Sequence, residues 1–296
     1  MRIVVAGGTG LLGSALSDEL RREGHTVTIL TRRPGQSHHV RWDPYGSITG
    51  WAPVLEDADA VINLAGAPIG RRWNAAHKRE IWNSRVRATR TLVSALKSVR
   101  RIPPTFISAS AIGIYGPRGD EPLTEDSRPG SGFLAGLSAE WEKEALTAGP
   151  QSRVVLVRTG LVLDRRAGAL PRIAQPFQFF VGGPLGSGRQ YMSWIHRDDW
   201  TALVRWAIGN AAVAGPLNAT APNPVTNLEF ARTLGAVLHR PALVPAPAFA
   251  LRLVLGEMAE TALTGQRVFP EQAHARGFEF RHPALEPALR ALYAAA

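Results

Sequence analysis

The stretch Arg2-Ile3-Val4-Val5-Ala6-Gly7-Gly8-Thr9-Gly10-Leu11-Leu12-Gly13 decides how the rest of the chain is read. Arg2 to Ala6 is a short, continuous apolar run, which suits a strand buried on both faces. Leu12, Leu16 and Leu20 then recur at helical spacing over Leu11 to Arg22, with Gly24 as a stop, and Thr26 to Leu30 is a second β-branched run. Strand, helix and strand within about 30 residues make a βαβ unit. The turn satisfies G-x-G-x-x-G through Gly8, Gly10 and Gly13, and G-x-x-G-x-x-G through Gly7, Gly10 and Gly13. Glycine is needed there because the chain turns tightly, lets a pyrophosphate approach the backbone, and packs the helix against the sheet. The helix N-terminal amides then face the phosphates.

The end of the second strand selects the dinucleotide. An NAD site offers a carboxylate to the ribose 2′-hydroxyl, whereas an NADP site offers arginine to the 2′-phosphate. Here stand Thr31, Arg32 and Arg33, with no acid until Asp43. Guanidinium groups suit bidentate phosphate binding, so NADP(H) is the expected cofactor; the other reading of Arg32 and Arg33 is an ordinary solvated loop.

Outward from this unit the alternation continues. Ala60 to Leu64 reads as a strand, Asn74 to Val99 as one long helix, Thr105 to Ser108 as a strand, Ser131 to Ala148 as a helix and Val154 to Arg158 as another buried strand. The pattern predicts an α/β fold: a Rossmann-type, doubly wound parallel sheet with right-handed crossovers. After about residue 164 the chain turns rich in Gly, Pro and Phe. A strand is expected at Gln190 to Ile195, a helix opening near Asp198 and Asp199, and another at Thr226, which begins a capping box with Glu229. Residues 1–164 therefore form the nucleotide domain and 165–296 a smaller, interleaved C-terminal substrate domain, with part of 190–225 able to join the first. Pro241 to Pro247 links into a last helical piece.

The composition narrows the class. There are 34 Lys plus Arg against 24 Asp plus Glu, a formal charge of +10, no Cys, and 45% hydrophobic residues in 296. Such an excess invites a nucleic-acid partner, yet only Lys78, Lys97 and Lys143 are lysines and the arginines are scattered singly or in pairs, with no basic run. No nucleic-acid partner is expected. Without cysteine there are no disulfides, thiolate metal sites or cysteine nucleophiles. No apolar stretch of about 20 residues is present, so no membrane partner is expected, and a soluble cytoplasmic protein is the reading.

Several motifs together carry a family resemblance. The glycine loop, Asn63-Leu64-Ala65-Gly66, the run Ser108 to Gly116 and Arg158-Thr159-Gly160 resemble an extended short-chain dehydrogenase/reductase. Arg72-Trp73-Asn74, Gly182 to Gly188 and Ser193-Trp194-Ile195-His196 are similar to an atypical branch labelled sugar-nucleotide epimerase family protein, with a C-terminal domain of unknown function over about 244–296. The resemblance implies that Gly7, Thr9, Gly10, Leu11, Leu12 and Gly13 cover the pyrophosphate, Thr31 and Arg32 the 2′-phosphate, and Leu64, Ala65, Gly66 and Ser108 the adenosine side. It also makes Glu80 and Arg85 cofactor contacts, about 140° apart on an ideal helix, and sets Val162 by the nicotinamide. Family members often pair through their long helices, which makes a homodimer a further expectation.

One part of the family pattern is missing. Reductases of this fold use Tyr-x-x-x-Lys, the tyrosine handling the proton and the lysine lowering its pKa. The corresponding residues here are Phe133-Leu134-Ala135-Gly136-Leu137, and Lys143 lies about 15 Å of helical rise further on. Ser110, Tyr191 and His196 are the candidates to replace it. Tyr115 is read as structural, and Glu121, Glu125 and Asp126 as a solvated loop. No metal-ligand spacing occurs. Trp73, Phe133, Gly183 to Gly188, Tyr191 and Trp194 are expected to line the cleft. Two functions stay open: an NADP-dependent oxidoreductase or epimerase of a small molecule with an unconventional proton donor, or an NADPH-binding regulator without turnover.

Overall fold

The computed structural model describes residues 1–294. Its first unit runs β1 (Arg2–Ala6), α1 (Leu11–Arg22) and β2 (Thr26–Thr31), with β1 and β2 parallel from Arg2↔Thr26 to Ala6↔Leu30. A short β3 (His39–Arg41), which His-Val-Arg gave no pattern to announce, extends the sheet beyond β2. On the other side of β1 come β4 (Ala60–Asn63), β5 (Thr105–Ala111) and, after the two-residue β6 (Pro122–Leu123), β7 (Arg153–Thr159). With β11 (Gly215–Ala219) added at the edge, seven parallel strands result, in the order β11-β7-β5-β4-β1-β2-β3. The strand order reverses between β1 and β4, where ligands of doubly wound folds bind at the strands' carboxyl ends.

Two apolar layers follow from strand alternation. Ile3, Val5, Ile29, Ile62, Ile107 and Val155 face α1 and α6 (Arg197–Gly209), while Val4, Leu30, Val61, Phe106 and Leu156 face the helices from the first half. The long segment 74–99 is continuous but not uniform. It comprises α2 (Ala75–Trp82), a π-helical turn at Asn83–Arg87, and α3 (Ala88–Ser98), with Asn74 Oδ1 capping the His77 amide at 2.8 Å. The next helix, α4, spans Phe133–Leu146.

Beyond β7 the elements are β8 (Leu161–Leu163), α5 (Leu170–Gln178), β9 (Tyr191–Met192), β10 (Trp194–His196), α6, and β11 (Gly215–Ala219), which returns to the edge of the main sheet. The single strand expected at Gln190 to Ile195 is thus two, because β9 pairs antiparallel with β12 (Val225–Thr226) and β10 pairs parallel with β8. After α7 (Asn227–Leu238), whose Thr226 cap accepts from Glu229 N at 3.2 Å, come α8 (Ala248–Leu255), α9 (Ala259–Leu263), β13 (Arg267–Val268), α10 (Glu271–Ala275) and α11 (Leu285–Ala294). The third core joins Phe177, Trp194, Phe230 and Leu289. The halves interlock: β13 pairs with β6, and Ala273 and Phe278 pack into the α6 side of the main sheet. Among the described residues no helix is long and apolar enough to cross a membrane.

Candidate functional site

At the carboxyl end of β1 the glycines meet strict geometry. Gly7 has φ +79°, and a Cβ there would lie 2.7 Å from the Leu64 backbone; at Gly13 it would lie 2.3 Å from the Gly7 carbonyl oxygen. Gly10 caps α1 with no side chain to offer, so no side chain claims the first-turn amides. Thr9 and Gly10 are exposed, and Leu11 and Leu12 are half-buried. An open cradle of free amides at a helix N-terminus fits a dinucleotide pyrophosphate.

The facing loop is held in place by named bonds. Asn63 Nδ2 donates to Thr89 Oγ1 at 2.7 Å, Leu64 N to Ala6 O at 2.8 Å, and Ala67 N to Ser84 Oγ at 2.9 Å. Arg85 packs directly against this loop. Its Nη1 donates to Ala67 O at 3.0 Å, its guanidinium carbon is 5.3 Å from the centre of the Trp141 ring, and a Cβ on Gly66 would meet it at 3.0 Å. Burial lowers its pKa to about 10. Glu80 is exposed and meets His77 Nδ1 at 3.1 Å. Arg85 lies inside the π turn that begins at Asn83, so the segment from Glu80 to Arg85 is not a uniform α-helix. Thr31 Oγ1 accepts from Arg33 N at 3.2 Å, leaving Arg32 exposed with no carboxylate partner among the described residues. Ser108 is buried beside Asn63 in register, and Val162 is half-buried on β8.

The position of the absent acid is apolar. Phe133 opens α4 and stands edge-on to Trp73, ring centres 5.3 Å apart, while Leu137 is buried with Ile81, Val86 and Trp141. Ser110 does not replace the tyrosine: it is buried, and its hydroxyl donates to Glu142 Oε1 at 2.6 Å. Ser110 thus faces α4, and its neighbour Ala109 packs against the α4 cluster of Leu137 and Trp141. Glu142 also takes a bidentate pair from Arg158, at 2.8 and 2.9 Å. Burial alone would lower the Arg158 pKa, but the bonds and charge of Glu142 raise it overall. Arg158 Nη1 donates to the Tyr115 hydroxyl at 2.9 Å, and that hydroxyl donates to Asn218 Oδ1 at 2.7 Å. Tyr115 is therefore a structural strut, its pKa pushed by burial to about 12. Glu125 is buried instead of solvated, accepting from Asn218 N at 2.9 Å, and burial raises its pKa.

His196 is likewise engaged in structure. It is buried, its Nδ1 accepts the Asp198 amide at 3.2 Å to cap α6, and its ring stacks on His282 at 3.9 Å. The cap lies two residues earlier than the expected Asp198. Burial, then the His282 charge, lowers its pKa to about 4. Ligand atoms of His196, Asp198 and His282 lie within 4.8 Å, a grouping that sequence spacing cannot reveal. The rings are stacked with planes 34° apart, and one His196 nitrogen is already spent as the helix cap. Tyr191 is the accessible candidate. It lines an open groove of about 650 Å³ with Asp120, Arg189, Leu228 and Thr264, a lining that does not include Trp73 or Phe133.

The expected cleft lining changes accordingly. Trp194 is fully buried, its indole donating to Asn223 O at 3.2 Å, because it fills the third core. The Gly182 to Gly188 run packs tightly: a Cβ on Gly183 would lie 2.2 Å from Val244 O, and one on Gly186 2.8 Å from Leu263. What the residue spacing did not disclose is the group closing over Phe133. Lys78 Nζ lies 5.2 Å from the centre of that ring and pairs with Glu257, 179 residues away, while Met258 packs against the Trp73–Phe133 cluster. The available signal was one of only three lysines, four residues past the Asn74 cap.

Comparison with known proteins agrees with this geometry. A family model described as NAD dependent epimerase/dehydratase family matches residues 3–219, and a domain of unknown function, DUF1731, matches residues 246–292. The chain is 40% identical to an Epimerase family protein SDR39U1 homolog, chloroplastic, of Arabidopsis thaliana over 99% of its own length and 86% of that protein. It is also 40% identical to Epimerase family protein YfhF of Bacillus subtilis, over 99% and 98%. The crystal structure of human epimerase family protein SDR39U1 (isoform 2) with NADPH superposes with a TM-score of 0.93 at 36% identity, covering 99% of both chains.

Proposed function

Because the chain belongs to the NAD dependent epimerase/dehydratase family, as an atypical extended short-chain dehydrogenase/reductase, we propose that it is an NADP(H)-dependent oxidoreductase or epimerase of a small molecule. The observation that carries the cofactor is the pairing of an open amide cradle at Gly7 to Gly13 with an exposed, unpartnered Arg32 at the end of β2. NADP(H) brings hydride exchange when bound. Gly7 to Gly13 hold its pyrophosphate, Arg32 its 2′-phosphate, and Arg85 acts by fixing the Gly66 loop. The human relative's NADPH supports the same reading. We place the protein in the cytoplasm, a reducing setting in keeping with the lack of cysteine.

Fluorescence titration tests this directly: NADPH is expected to bind at least tenfold more tightly than NADH, and Arg32→Asp to abolish that preference. Equal affinities in the native protein would overturn the assignment. A second reading, an NADPH-binding regulator without turnover, draws on Phe133 and Leu137, since neither can exchange a proton at the usual position. Nicotinamide oxidation above the protein-free rate with any member of a broad carbonyl panel would exclude it.

A further inference from the structure

At one of the places where the C-terminal module meets the nucleotide half, it delivers a carboxylate. Glu257 meets Lys78 of α2; Gly256, with φ +60°, lies against Arg72, where a Cβ would be 3.3 Å from Nε; and Met258 enters the Trp73–Phe133 cluster. Lys78 is held over the face of Phe133, at the site the family reserves for its proton donor, and its side chain is only 27% exposed. Glu257 is 65% exposed, and a pair so open to water is weak and easily exchanged. Around it the rim is cationic. Arg72 is exposed without a carboxylate partner among the described residues, and Arg172 reaches across to Gly70 O at 2.5 Å, bracing the loop that carries Arg72.

The geometry points to an anion site beside Phe133: Lys78, assisted by Arg72, binds the carboxylate of a small-molecule ligand whose apolar part rests on the half-buried Phe133, and Glu257 is its tethered placeholder. A carboxylate is the ligand class because a carboxylate already satisfies this ammonium within the apolar surround. The charged lysine is thereby neutralised when no ligand is present, which limits the cost of holding it over an aromatic face. This deepens the proposed function, whose small-molecule ligand it specifies.

Calorimetry with the NADPH-loaded full-length protein tests it, using succinate as probe, succinamide as its uncharged match and inorganic phosphate as a second anion. A tethered carboxylate competes at an effective concentration on the order of millimolar, so Glu257→Gln should tighten succinate binding about tenfold. Lys78→Gln and Arg72→Gln should weaken it at least tenfold and fivefold, succinamide should not bind, and added salt should weaken succinate binding. Tighter binding of phosphate than of succinate would overturn the carboxylate assignment. Equal binding of acid and amide, or succinate affinity unchanged in both Glu257→Gln and Lys78→Gln, would overturn the site itself. NADPH affinity is measured for each variant in the same series. If it is lost in the native protein, the cofactor reading fails, while the succinate comparison, repeated without NADPH, still decides the anion site.

Discussion

A single methyl group at Gly13 would sit 2.3 Å from the Gly7 carbonyl oxygen, backbone against backbone, with nothing flexible to give way. Gly13→Ala is expected to weaken NADPH binding at least tenfold and to lower stability by about 1–3 kcal/mol, read by titration and chemical denaturation. That glycine could be picked from the sequence because its requirement is local. Ser110 was legible as a hydroxyl, but not its direction, which depends on which face of β5 it takes and on Glu142 arriving from α4. His196 has a pH consequence. Its folded pKa, about 4, lies below the ordinary 6.5, so between these values the unfolded chain binds the extra proton. Stability should therefore fall as pH drops from 6.5 toward 4 and level off below. Urea midpoints across pH 4 to 8 measure this, and His196→Asn, which keeps a capping oxygen, should flatten the slope.

Among the elements, α4 explains why the usual catalytic pair is not a simple two-residue change away. Phe133 is half-buried, but Leu137 is 2% exposed in a cluster with Ile81, Val86 and Trp141. Phe133→Tyr should fold nearly as well as the native chain, whereas Leu137→Lys, burying a charge without a partner, should cost on the order of 3–5 kcal/mol. Thermal melts of the two variants compare them; a native-like melt for Leu137→Lys would show that α4 can turn. The strands of the first half other than β3 and β6 were readable because each centres on an apolar run, and α1 matched its expected span because Gly10 and Gly24 punctuate it. The π turn at Asn83–Arg87 was not, since Asn-Ser-Arg-Val-Arg carries no breaker and the extra residue is set by packing. Likewise the split between β9 and β10 depends on partners, β12 and β8, lying at opposite sequence distances.

For the molecule as a whole, the arginines behind the net charge of +10 are scattered along the sequence without a basic run. Arg2, Arg118, Arg205, Arg252 and Arg290 each pair with an acid. A labelled 20-base-pair duplex should therefore show no saturable anisotropy change with micromolar protein at about 150 mM salt, conditions under which clustered cations would still hold phosphates. A change of rhythm near residue 164 is visible in the sequence, but the chain's return to the main sheet through β11, and the pairing of β13 with β6, depend on contacts that local pattern does not encode. That last pairing bears on how the protein is made. Leu123 of β6 leaves the ribosome about 145 residues before its partner Val268. At roughly 5–20 residues per second, the interval is on the order of ten seconds. Through it Ile114, Tyr115 and Leu123 wait for Val268, the residue that completes their buried cluster.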